Sequence, residues 1–175
     1  MRKLSLLLLV LILLLAGCSN VEGTSEAGNE EEGNEGNQGN QEIKGYEFVY
    51  NDINIAMYDE ATSTLESLGK EMDYFEAESC AFQGMDKIYT YGGFELHTHE
   101  IEGNDYISSI IFLDDSVSTK EGIYLYSSLD NVLEAYGEDY SEEHGLYTYE
   151  LEDSKLSFLI EDDEVTSIEY MAIAE

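Results

Sequence analysis

Apolar and polar positions divide the chain into stretches of different character. Residues 4–15 are apolar throughout apart from Ser5, and they follow the basic pair Arg2-Lys3. A membrane-spanning helix needs about 20 residues, so this shorter run predicts a secretory signal. Residues 19–43 then read SNVEGTSEAGNEEEGNEGNQGNQEI, with almost nothing to bury. Such a stretch cannot offset its ordering entropy and predicts a disordered acidic tether, about 25–30 Å in r.m.s. span. From Lys44 onward Tyr, Ile, Phe and Leu return in short alternating runs, which predict a folded domain over 44–175.

Within that domain the pattern repeats. Tyr58 and Tyr126, Leu65 and Leu133, and Gly69 and Gly137 are each 68 residues apart. Ala61, Thr64, Leu65 and Leu68 form an apolar stripe at helical spacing, matched by Leu129, Val132, Leu133 and Tyr136. Asp59 and Ser127 are candidate N-caps, and each glycine suits a helix end. Neither helix would persist alone. Strands are predicted over 87–91, 94–99 and 106–113 in the first copy, and over 146–151, 155–160 and 165–171 in the second. Tyr89-Thr90-Tyr91 parallels Tyr147-Thr148-Tyr149 at an offset of 58. The copies thus differ by about ten residues, which this reading places between helix and first strand.

Period-2 alternation puts Phe94, Leu96, Ile110, Phe112, Leu156, Phe158, Ile160, Ile168 and Tyr170 on one face. Glu95, His97, Ser109, Ser157, Ser167 and Glu169 fall on the other. Gly92-Gly93 and Glu152-Asp153 are candidate hairpin turns. The expected fold is α+β. It is a tandem repeat, approximately 45–113 and 114–175, with both helices packed on one face of a curved antiparallel sheet.

Charge narrows the function classes. Asp+Glu number 39 against 7 Lys+Arg, a formal net charge of −32. Nucleic-acid binding needs clustered cations to neutralise phosphates, and this chain has none to spare. The expected partners therefore exclude nucleic acid and favour cationic surfaces.

Leu15-Ala16-Gly17-Cys18 resembles the lipobox of bacterial lipoproteins. The resemblance implies cleavage between Gly17 and Cys18, a lipid on the Cys18 sulfur, and anchoring on the extracytoplasmic face of the cell membrane. The expected organisation is a signal peptide over 1–17, a lipidated cysteine and tether over 18–43, and the domain over 44–175. Loss of Arg2 and Lys3 takes the charge from −32 to −34. Two acyl chains, buried at about 0.8 kcal/mol per CH₂, give a lasting anchor where one does not. Cys80 is then the sole remaining thiol, expected as a small buried hydrophobe. Tandem short helices ending in Gly, each followed by antiparallel strands, also resemble the β-lactamase-inhibitor-protein-like domains. That resemblance implies a curved sheet whose open face or loops hold a protein partner; it carries no inhibitory residues onto this chain.

Few groupings suggest chemistry. Glu95, His97 and His99 alternate along one predicted strand and so share a face, a donor set that could bind a transition metal. The same alternation equally describes an exposed polar face. Acidic pairs such as Asp114-Asp115 and Glu138-Asp139 do not follow the spacing of a calcium-binding loop. Nucleophile elbows, phosphate-binding glycine loops and zinc-protease motifs are missing from the sequence. Tyrosine is enriched, with 14 residues against no Trp, and Tyr89, Tyr91, Tyr147 and Tyr149 are candidates for an aromatic rail. The expectation is a non-catalytic protein- or peptide-binding module without a cofactor; the alternative is a metal- or small-ligand-binding lipoprotein using Glu95, His97 and His99.

Overall fold

The computed structural model describes residues 45–80 and 84–173. The expected signal, the expected Gly17–Cys18 cleavage site and lipid carrier Cys18, and the expected tether lie outside these residues. β1 (Glu47–Tyr50) and β2 (Ile53–Ala56) form a two-stranded ribbon. Its two-residue turn, Asn51-Asp52, has positive φ at both positions (49° and 65°), the backbone twist that tight hairpins favour. Helix α1 (Ala61–Leu68) leads to β3 (Asp73–Glu78), β4 (Met85–Thr90), β5 (Phe94–Ile101) and β6 (Asn104–Phe112). After a long connection, helix α2 (Leu129–Tyr136) leads to β7 (Ser141–Glu143), β8 (Leu146–Leu151), β9 (Ser154–Glu161) and β10 (Glu164–Ala172). These eight strands make one antiparallel sheet in the order β3-β4-β5-β6-β10-β9-β8-β7.

The two halves meet at β6 and β10 through a short register, Ser109–Ile111 against Glu169–Met171. Beyond it the two strands separate, and each binds the segment that precedes its own helix. Tyr58 N–H donates to Ile107 O and Ile107 N–H to Asp59 O; Tyr126 N–H donates to Val165 O and Val165 N–H to Ser127 O. Tyr58 and Tyr126 both take positive φ (63° and 77°) to make this turn. Each half also carries one extra residue after that contact, Ser108 on β6 and Thr166 on β10, where the pairing register shifts. The ten-residue difference lies between the helix and the strand predicted at 87–91, within the β3–β4 hairpin: Tyr74 pairs with Tyr89 where Glu142 pairs with Tyr147.

The expected α+β architecture is overturned, because the molecule is mostly β. A sheet of eight strands is about 34 Å wide at the usual strand spacing, whereas an eight-residue helix is about 12 Å long. The helices bury only Ala61, Thr64 and Val132 fully, too little to form a layer. The sheet's covered face is filled instead by the β1–β2 ribbon and the 113–128 connection. Phe94, Leu96, Ile110, Phe112, Leu156, Phe158, Ile168 and Tyr170 are all buried there, as the alternation predicts. Phe48 from β1, fully buried, sets its ring 5.0 Å from Phe94, 5.2 Å from Phe112 and 6.0 Å from Tyr170. Val117, Ile123 and Leu125 of the connection join the same cluster.

The N-caps also differ from the sequence reading. Asp59 and Ser127 use their backbones in the strand-like contacts above, so each cap falls one residue later. Ser128 forms a capping box with Asn131, while Glu60 makes no side-chain cap bond. Gly69 and Gly137 end the helices at positive φ, each N–H returning to Leu65 O or Leu133 O.

Candidate binding surface

The face turned away from the core is built by cross-strand rows. One row runs Thr90, Glu95, Ile111, Glu169, Ser157 and Thr148 across six strands. The next runs Ile88, His97, Ser109, Met171, Lys155 and Glu150. Paired residues share a face, so these side chains form one mixed surface of small hydroxyls, aliphatics and charges. Thr148 and Ser157 hydroxyls lie 3.0 Å apart. Lys155 Nζ reaches Glu150 at 2.7 Å. Glu169 is half-buried between Ile111 and Ser157, and this desolvation raises its carboxyl above the ordinary value, with the nearby His97 pulling the other way.

Of the candidate metal residues, the fold brings two together. His97 Nε2 lies 3.2 Å from Glu95 Oε2. His99 stands past the register shift between His97 and Thr98, and its ring meets Tyr58 edge-on at 6.3 Å. Among the described residues no group of three or more His, Cys, Asp or Glu is placed to hold a metal ion.

The tyrosines do not line the open face. Tyr91 and Tyr149 are buried against the core, and each hydroxyl donates to the carbonyl of its helix-ending glycine, Tyr91 to Gly69 O at 3.5 Å and Tyr149 to Gly137 O at 3.0 Å. Burial pushes the Tyr149 hydroxyl up to about 12. Tyr89 packs on Tyr74 (5.1 Å) and Tyr147 on Tyr140 (4.9 Å), toward the two margins of the sheet. Cys80 is free and exposed, contrary to the buried thiol expected, because β3 has already reached the sheet margin where little packs over it.

That margin is the feature the sequence reading missed. β3, DYFEAE, was not foreseen as a strand; its adjacent aromatics Tyr74-Phe75 are the one strand-favouring signal it carries. Met72, just before β3, is exposed at 78%, and within β3 Tyr74 (42%) and Phe75 (60%) are exposed on opposite faces of the outer strand. The opposite margin, β7, is three residues long and reads Ser-Glu-Glu. No helix among the described residues is long and apolar enough to cross a membrane. Comparison with protein-family models, curated proteins and solved structures returned no match.

Proposed function

We propose that this chain is a membrane-anchored extracytoplasmic lipoprotein whose folded part is a non-catalytic module binding a protein or peptide partner. The anchoring rests on the lipobox at residues 15–18, with Cys18 as lipid carrier. The observation that carries the binding reading is the outer strand β3, which exposes Tyr74 on one face and Phe75 on the other, on a chain of net charge −32. A sheet edge that exposes large apolar side chains is a natural contact site for another chain, and the surrounding negative potential favours cationic partners and speeds their encounter.

Two experiments test this. Fractionation of the Cys18→Ser variant is expected to move the protein from the membrane to the soluble fraction; continued sedimentation with membranes overturns the anchor. Affinity capture from envelope extracts with the full chain is expected to retain a basic protein at low salt and release it at high salt. Retention of nothing at either salt overturns the binding reading.

A further inference from the structure

We infer that the outer edge of β3 is a strand-addition site for an extended cationic segment of a partner, one in which Lys or Arg alternates with apolar residues. The inference rests on the binding reading above and gives it a place and a chemistry.

β3 pairs with β4 on one side and ends the eight-stranded sheet. Ser79 N–H donates inward to Gly84 O at 3.0 Å. Antiparallel ladders alternate, so Phe75 and Ala77 bond inward while the backbone groups of Tyr74, Glu76 and Glu78 face outward. The Tyr74 N–H is held by Asp73 Oδ1 at 3.0 Å; the outward groups of Glu76 and Glu78 form the open template. An incoming strand meets Phe75 and Ala77 on one face and Tyr74, Glu76 and Glu78 on the other. Complementing both faces requires apolar and cationic side chains in alternation. Lys87, opposite Glu76 in the register, is engaged with Asp105 at 2.6 Å and does not satisfy that demand.

The other occupants fit worse. A second copy paired edge to edge sets Asp73, Glu76 and Glu78 against their own kind, and like charges placed opposite one another destabilise a ladder. The 19–43 segment is acidic too. Charge on this edge therefore excludes self-pairing while admitting a basic strand, the repulsive half of a specific interface. The second half of the chain provides an internal comparison. Glu142 of β7 holds the register position of Tyr74, since each pairs with the matching tyrosine, Tyr147 or Tyr89. There the strand is short and carries no apolar residue.

The test uses the full chain and a fluorescent peptide of about nine residues that alternates Lys and Val, the length of an extended edge partner. The control has the same charge with two internal prolines, which cannot join a ladder. The alternating peptide is expected to bind about tenfold more tightly, the worth of one or two backbone bonds. Glu76→Pro removes an outward N–H together with a carboxylate that both equally charged peptides lose alike, and is expected to abolish that preference, whereas Glu142→Pro on β7 leaves it intact. Glu76→Lys, which keeps the backbone, is expected to weaken both peptides and serves if the proline variant does not fold by circular dichroism. Equal binding of the two peptides, no effect of either Glu76 variant, or an edge-paired dimer in sedimentation overturns the inference. If the edge fails while salt-sensitive retention of the envelope partner persists in Glu76→Lys, the binding reading stands and the partner docks elsewhere.

Discussion

At the residue scale, two tyrosine hydroxyls lock the ends of the helices to the sheet. Tyr149 donates to Gly137 O at 3.0 Å from a buried position, so Tyr149→Phe leaves a carbonyl without its donor. The expected cost is about 1 kcal/mol, read from the urea midpoint; Tyr91→Phe, whose bond is 3.5 Å, is expected to cost less. A second residue sets a pH dependence. Desolvation raises Glu169 above its ordinary value, so the folded state holds that proton more tightly than the unfolded chain does. Stability from this group is therefore lost as pH rises from the unfolded carboxylate value through the raised folded one. Glu169→Gln is expected to be more stable than the native chain at neutral pH, with the difference vanishing in acid. A difference that grows on acidification contradicts the assignment. The Tyr/Gly pairs were legible as repeated letters, but their bond was not, because it joins positions 12 and 22 residues apart across a turn.

At the scale of elements, the decisive question is which pieces cover the sheet. Phe48 sits against three core rings, whereas α2 buries only Val132 fully. Phe48→Ala is expected to cost about 3–5 kcal/mol, and Val132→Ala well under that, measured by chemical denaturation. Comparable losses would return the helices to the role the sequence suggested. The helical stripes were read correctly as stripes, yet a pattern shows that a helix lies on something without showing how much it covers. The β1–β2 ribbon was signalled by apolar runs flanking Asn51-Asp52, a tight-turn pair less conspicuous than Asn-Gly. Central strands were legible because burial on one face enforces alternation. β3 and β7, at the margins, have no buried face to enforce it, and both escaped notice.

For the whole molecule, charge is the dominant long-range term. A net charge of −32 with 7 cations means that most carboxylates repel one another across the surface. Raising ionic strength from about 0.01 M to about 0.5 M shortens the screening length from about 30 Å to under 5 Å. Tm is expected to rise over that range at neutral pH and to change little at about pH 4, where many carboxyls are protonated. A Tm that falls with salt at neutral pH would show that local ion pairs such as Lys87–Asp105 outweigh the repulsion. The same charge makes the two sheet margins unequal partners for a passing strand: both are acidic, and β3 alone adds exposed apolar side chains and six residues of ladder.

Sequence by itself determined the inward and outward positions of the central strands, the paired glycine stops and the acidic character that governs any encounter, because each is written in local spacing or in composition. Tertiary structure decided that the ribbon covers the sheet in place of the helices, that Glu95 and His97 meet without His99, and that β3 stands exposed at a margin. Those outcomes depend on which strand lies beside which and on where a single extra residue shifts the register, and neither is encoded within any one stretch of chain.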